Sequence, residues 1–277
     1  MPVLNLRASR RGGARRGVIL LVVVLAFVFS RLRSGQAGSS RKPWAGGRTS
    51  SSKYVPVGDE GLGASIAIVL DVSGSMTKVA QGDSRPKYIV AREALNALLE
   101  TTDSFVARQP GFPVNVGLYT FNASVQRILP VRPYDRAALS SALASLGRPE
   151  GGTAIGDAMD VARQDLYRAG AIRKYILVVT DGENTSGRSP EDVAREIDAR
   201  SEGAVRQYFV AFDIDAEQFA FLRAVHGEVL GAANGLALRA SLDTIYRGKI
   251  LAEAMNAGET LPPVRRDSGP PPRNPEP

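Results

Sequence analysis

Five oxygen-bearing side chains in three short segments of this sequence have the types and spacing to bind a hard metal ion. Asp71, Ser73 and Ser75 alternate in Asp71-Val72-Ser73-Gly74-Ser75, Thr153 stands in Gly151-Gly152-Thr153-Ala154-Ile155-Gly156-Asp157-Ala158, and Asp181 lies in Thr180-Asp181-Gly182. Alternation over five residues lets the first three oxygens converge above one strand end. Magnesium takes about six oxygens in octahedral array.

Other chemistries lack their groups. The chain has no cysteine and a single histidine, His226, which excludes disulfides, thiolate catalysis and thiolate zinc sites. No nucleophile elbow and no phosphate-cradling loop of Walker type is present. Four other polar residues are assigned humbler roles. Asp157 suits a place just behind the site or the first turn of a helix, Asp213 and Asp215 follow a strand where they can line the same edge but suit a turn and a cap better, and His226 reads as a surface or loop residue.

The elements that must carry these residues alternate. Ser65 to Asp71 is a short apolar run ending in an acid, the pattern of a buried strand. Arg85 to Ala107 has a helical apolar stripe. Val114 to Phe121 and Ser124 to Val131 are strands whose short link implies an antiparallel edge pair. Asp135 to Leu146, capped by Asp135, and Thr153 to Ala169 are helices. Lys174 to Thr180 is an apolar strand ending at Asp181. Ser189-Pro190-Glu191-Asp192 opens a helix with cap, proline and early acids in order. Arg206 to Ile214 is a strand, Glu217 to Val225 a helix, Glu228 to Leu230 a short last strand and Ser241 to Met255 a closing helix. This order predicts an α/β, doubly wound, mostly parallel six-stranded sheet with one antiparallel edge strand and helices on both faces. Such sheets bind ligands at the carboxyl ends of their strands, near the switch point of strand order. All three oxygen-bearing segments fall at strand-to-helix loops on that edge.

DVSGS, GGTAIGDA and TDG, in this order and on these elements, resemble the metal-ion-dependent adhesion site of von Willebrand factor A domains. The resemblance covers about Ala64 to Met255, and its flavour is similar to bacterial membrane-tethered members. It implies a Rossmann-like fold and a non-enzymatic, cation-dependent protein-binding module serving adhesion or complex assembly. The implied cation is Mg2+, with Mn2+ or Ca2+ as alternatives, and the implied partner is a protein supplying Asp or Glu. By this resemblance Ser73 and Ser75 bind the metal directly, Thr153 does so in the ligand-engaged state, and Asp71 and Asp181 act mainly through bound water. The loop Thr77 to Lys87 is longer and more polar than in compact members. The competing reading is a metal-dependent hydrolase, phosphatase-like, on a doubly wound sheet. The haloacid-dehalogenase pattern, however, places a second Asp two residues after the first, and Ser73 stands there.

Charge divides the chain. Of 35 basic residues, eleven precede Tyr54 with no acid among them, and the remaining 24 face 28 acids. The overall +7 therefore comes from an N-terminal arm and not from a folded basic face, so no nucleic-acid partner is expected. In that arm an apolar core, Val18 to Phe29, follows Arg10, Arg11, Arg15 and Arg16. The uncharged stretch Gly17 to Ser30 would span about 21 Å as helix against roughly 30 Å of hydrocarbon. It reads as an export signal, either cleaved or kept as an anchor. The expected organisation is a signal or anchor over 1–33, a linker over 34–63, the domain over 64–256 and a proline-rich tail over 257–277. The expected place is the cell envelope, with the domain on the extracytoplasmic side and the arm in the membrane.

Overall fold

A computed structural model of the chain describes residues 61–253. The expected signal or anchor and the proline-rich tail lie outside these residues, as does the linker up to residue 60. The linker boundary moves: residues 61–63 already belong to the first strand, β1 (Gly61–Asp71).

β1 buries both of its faces. Ile66, Ile68 and Leu70 pack into one core and Ala67 and Val69 into the other, as a parallel strand covered on both sides must. A 3-10 turn over Gly74–Thr77 follows, then α1 (Lys87–Arg108). The helix starts two residues later than its apolar stripe suggests, because Pro86 donates no N–H and disfavours helical backbone at Arg85. The edge pair is β2 (Val114–Phe121) and β3 (Val125–Pro133). Next come α2 (Arg136–Ala144), with the Asp135 side chain accepting from the Ala138 N–H, and α3 (Ile155–Arg168). β4 (Ala171–Thr180) leads to α4 (Pro190–Ser201), capped by Ser189 as its sequence prescribes. Next come β5 (Val205–Phe212), a 3-10 run over Ala216–Val225, β6 (Glu228–Ala232) and α5 (Gly235–Ile245), which widens into a π turn over Tyr246–Leu251.

The six strands lie in the order β3-β2-β1-β4-β5-β6. Only the β2–β3 pair is antiparallel, which is the architecture expected. Residues of α1, α2 and α5 join the core on one face, including Leu95, Leu139 and Leu242. Residues of α3, α4 and the 3-10 run join the other, including Met159, Ile197 and Leu222. β1 has β2 on one side and β4 on the other, so strand order reverses there and opens a crevice beyond the ends of β1 and β4.

Two further elements differ from the sequence reading. α5 begins at Gly235, where a closing helix from Ser241 was expected. The Asn234 side chain accepts from the Ala237 N–H and starts the helix early. β5 stops at Phe212 because Asp213 takes a left-handed φ of 56° that no strand continues.

Candidate metal centre

The site is a chain of hydrogen bonds linking the ends of two neighbouring strands. Asp71, the last residue of β1, is fully buried. One of its oxygens accepts the Ser73 backbone N–H at 2.7 Å and the other accepts the Thr180 hydroxyl, from the end of β4, at 2.6 Å. Ser73 occupies the N-cap position of the 3-10 turn, yet its side chain makes no capping bond there. Its Oγ lies 3.0 Å from Ser75 Oγ, and Ser75 Oγ donates to Asp181 Oδ1 at 2.6 Å. The commonplace alternative for Asp71-Val72-Ser73-Gly74-Ser75, a serine capping a helix start, is therefore not what this serine does.

Thr153 reaches the same rim from the loop between α2 and α3, a helix-to-helix connection and not the strand-to-helix loop expected for it. Its backbone is fixed on both sides: its N–H donates to Thr185 Oγ1 at 2.8 Å and its carbonyl accepts from the Thr185 N–H at 2.9 Å. A Cβ placed on Gly182 would sit 3.7 Å from both Ser75 Oγ and Thr153 Oγ1, so these hydroxyls flank one glycine. Gly151, at φ 79°, adopts a backbone that favours glycine, and its carbonyl accepts the Gly74 N–H at 3.0 Å. The structure thus brings Asp71, Ser73, Ser75, Thr153 and Asp181 together at the strand-end crevice.

Two further residues join them. Lys87, buried, places its Nζ 3.0 Å from Asp181 Oδ2 and 2.7 Å from Asp213 Oδ2. Asp213 was read as a turn residue. It is one, and it also lines the site's edge through this ion pair. Lys87 left a signal that was passed over: it is the first residue of α1, where the helix dipole disfavours a cation. A lysine there calls for nearby carboxylates. Asp157 stands in the first turn of α3 and accepts the Arg188 N–H at 3.1 Å, so it fastens the loop after β4. Asp215 caps the 3-10 run, and His226 is exposed beside Asp198.

Burial pushes the Asp71 carboxyl up to about 6, against the opposing pull of its hydrogen bonds from Ser73 and Thr180, while the nearby Asp181 charge adds to the rise. For Lys87, burial opposes the charge, but Asp213 and Asp181 outweigh it and hold the ammonium above its ordinary range.

Among the described residues no three His, Cys, Asp or Glu side chains gather into a metal-holding group, so a cation here has to draw on hydroxyls. The donors suit that task. Hydroxyl and carboxylate oxygens converge without sulfur or imidazole, the ligand chemistry of Mg2+, Mn2+ and Ca2+.

Residues 66–183, which include all five oxygen donors, match the sequence profile of the von Willebrand factor type A domain. No curated protein matches the chain. Among solved structures, the fold is similar to the PilB minor pilin of Streptococcus sanguinis, with a TM-score of 0.59 at 14% identity. That match covers 73% of this chain and 64% of the pilin, so the chain spans less than two thirds of the pilin's own length. It is also similar to a von Willebrand factor type A structure from Catenulispora acidiphila, with a TM-score of 0.53 at 22% identity over 70% of this chain and 43% of that one. An aerotolerance-related membrane protein from Bacteroides fragilis gives a TM-score of 0.50 at 19% identity, covering 70% of this chain and all of that one. These identities establish a shared fold.

Proposed function

We propose that this chain, which carries a von Willebrand factor type A domain over residues 66–183, is a divalent-cation-dependent protein-binding module that grips an acidic side chain of its partner. The observation that carries this reading is the run from Ser73 Oγ to Ser75 Oγ to Asp181 at a switch point of the sheet, made by a serine that leaves its own turn uncapped. Ser73, Ser75 and Thr153 would offer neutral oxygens to Mg2+, and Asp71 and Asp181 would orient them and hold water. A cation bound there would supply a Lewis-acidic position for an incoming carboxylate.

The chain's own groups have separate tasks. Asp71 fixes the Ser73 backbone and ties β1 to β4 through Thr180. Asp181 accepts the Ser75 hydroxyl and so sets where that oxygen points. The loop stitching between Thr153 and Thr185 keeps the third hydroxyl on the rim without calling on its side chain. A hydrolase reading draws less support, since Ser73 stands where a second carboxyl would have to donate a proton. The apolar, arginine-flanked segment near the N-terminus supports an extracytoplasmic module held at a membrane. So does the likeness to an aerotolerance-related membrane protein. Among the described residues no helix is long and apolar enough to cross a membrane.

Titration calorimetry and thermal unfolding test the reading. Mg2+ or Mn2+ is expected to bind at one site and raise the unfolding temperature, and an Asp-containing peptide is expected to bind only in its presence. Unfolding curves that are the same with chelator and with millimolar Mg2+ or Mn2+ would count against the proposal.

A further inference from the structure

Among the described residues Lys87 is the one cation seated directly on the carboxylates of this rim, and its surroundings make it more than a spacer. It is 5% exposed and bridges Asp181 at 3.0 Å to Asp213 at 2.7 Å. Asp213 takes this place in left-handed backbone, φ 56°, which costs a non-glycine residue. The conformation is held by the ion pair and by the Asp213 N–H donating to the Ala232 carbonyl at 2.7 Å. A cation at the first residue of a helix also works against the helix dipole. Two locally unfavourable choices thus converge on one contact, as happens where a contact is functional.

We propose that Lys87 is the site's resident counter-charge, a positioning residue that holds Asp181 in place without a divalent ion and weakens the grip on that ion when it comes. The inference rests on the metal-binding reading above. Its logic is electrostatic. Among the described residues, Asp71 and Asp181 lie at the site, Asp213 lies at its edge, and the Lys87 ammonium sits between the last two. Without the ammonium, Asp181 and Asp213 face each other unpaired, and the metal-free rim repels itself. With it, Asp181 keeps the orientation that accepts the Ser75 hydroxyl. The same positive charge repels an arriving divalent cation and favours the carboxylate that follows. Lys87 thereby lowers affinity for the ion alone and favours the ternary contact with ion and acidic partner together.

The test compares Lys87→Met, Lys87→Arg and Asp213→Asn in the full chain in detergent, with Mg2+ binding read by calorimetry and thermal unfolding read in chelator. In chelator K87M is expected to unfold at a lower temperature than wild type. Its Mg2+ dissociation constant is expected to fall about tenfold, the scale of one nearby charge in a partly screened site. D213N should move the constant the other way, weakening Mg2+ by about threefold, because the ammonium then rests on Asp181 alone. K87R should stay close to wild type on both readouts. A merely structural lysine would make K87M and D213N both bind Mg2+ more weakly. That result, or K87M binding no tighter than wild type, overturns the inference. Should circular dichroism find K87M unfolded, Lys87→Gln, which keeps a polar side chain without the charge, takes its place: Mg2+ binding tighter than wild type supports the inference, and equal or weaker binding overturns it. A wild-type chain that takes up no Mg2+ instead removes the metal reading itself, and the inference with it.

Discussion

Asp71→Asn is expected to abolish most of the cation response while leaving the domain folded. The carboxylate supplies charge to the site and fixes Ser73, and loss of such an outer partner lowers metal affinity by about 10–100-fold. Asn keeps the shape: one oxygen can still accept the Ser73 N–H, and the Thr180 hydroxyl already has the Gly182 carbonyl within 3.2 Å as a second acceptor. The variant also carries a pH signature. Because burial raises the Asp71 carboxyl to about 6, cation binding to the wild type has to displace a proton below that pH. Affinity should therefore fall by about tenfold per unit as pH drops below about 6, and D71N should lack this component. In chelator the sign for stability is opposite. A carboxyl whose folded value lies above its ordinary 3.8 contributes stability that is fully present below that value and lost as pH rises through about 6. Metal-free D71N, which resembles the protonated acid, should then be at least as stable as wild type at pH 7.5. Calorimetry and thermal unfolding across pH 5 to 8 read both effects. Cation affinity in D71N within a factor of two of wild type would contradict this role for Asp71.

Gly156→Ala should be among the most destabilising single-methyl additions in the domain. Glycine within a helix costs about 1 kcal/mol relative to alanine, so propensity alone predicts a gain. Packing reverses the sign. A Cβ on Gly156 would meet the Arg188 carbonyl oxygen at 2.3 Å and its carbon at 2.9 Å, both backbone atoms that no rotamer change can move. α3 and the loop after β4 would have to part, and such overpacking costs about 1–3 kcal/mol or more. The net expectation is a loss of about 2–3 kcal/mol, or roughly 5–10 °C in unfolding temperature for a domain of this size. That same seam holds Thr153 to Thr185 and the Ile155 N–H to Asn184 Oδ1 at 2.8 Å. Cation binding should therefore weaken alongside stability. Gly111→Ala, where the added carbon meets nothing within 4 Å, is the control and should be near neutral.

Four of the five candidate donors, Asp71, Ser73, Ser75 and Asp181, were legible because they sit where the sheet's periodicity breaks. Ser65 to Asp71 and Lys174 to Thr180 are apolar runs that end in an acid or just before one, and a parallel sheet brings such ends to one edge. The pairing of Lys87 with Asp213 was not legible, because the start of α1 and the end of β5 are far apart in sequence and meet only in the fold. A lysine at a helix start and an aspartate after a strand each have an ordinary local reading, and only their convergence on Asp181 sets these two apart. The early start of α5 was hidden for a related reason. Gly235 reads as a breaker, but Asn234 caps the helix, and the Asp83 side chain accepts the Gly235 N–H at 2.8 Å from a loop 152 residues earlier. A Cβ at Gly235 would also lie 2.4 Å from Val90 Cγ1, so close packing against α1 requires a glycine there. The 3-10 run over Ala216–Val225 departs from a regular helix at Phe219, whose φ of −108° lets its ring tilt against Phe209 at 5.1 Å. Burial of that aromatic pair outweighs the local helical preference.

Diffraction from Mn2+-grown crystals of the protein gives the most direct measurement, since anomalous scattering locates the ion without assumptions about its ligands. The expected result is a single strong peak within about 2.0–2.4 Å of Ser73 Oγ and Ser75 Oγ, ordinary oxygen–cation distances, with Thr153, Asp71 and Asp181 around it. A peak elsewhere on the domain, or no peak at this rim in well-ordered crystals, would contradict the metal-centred account.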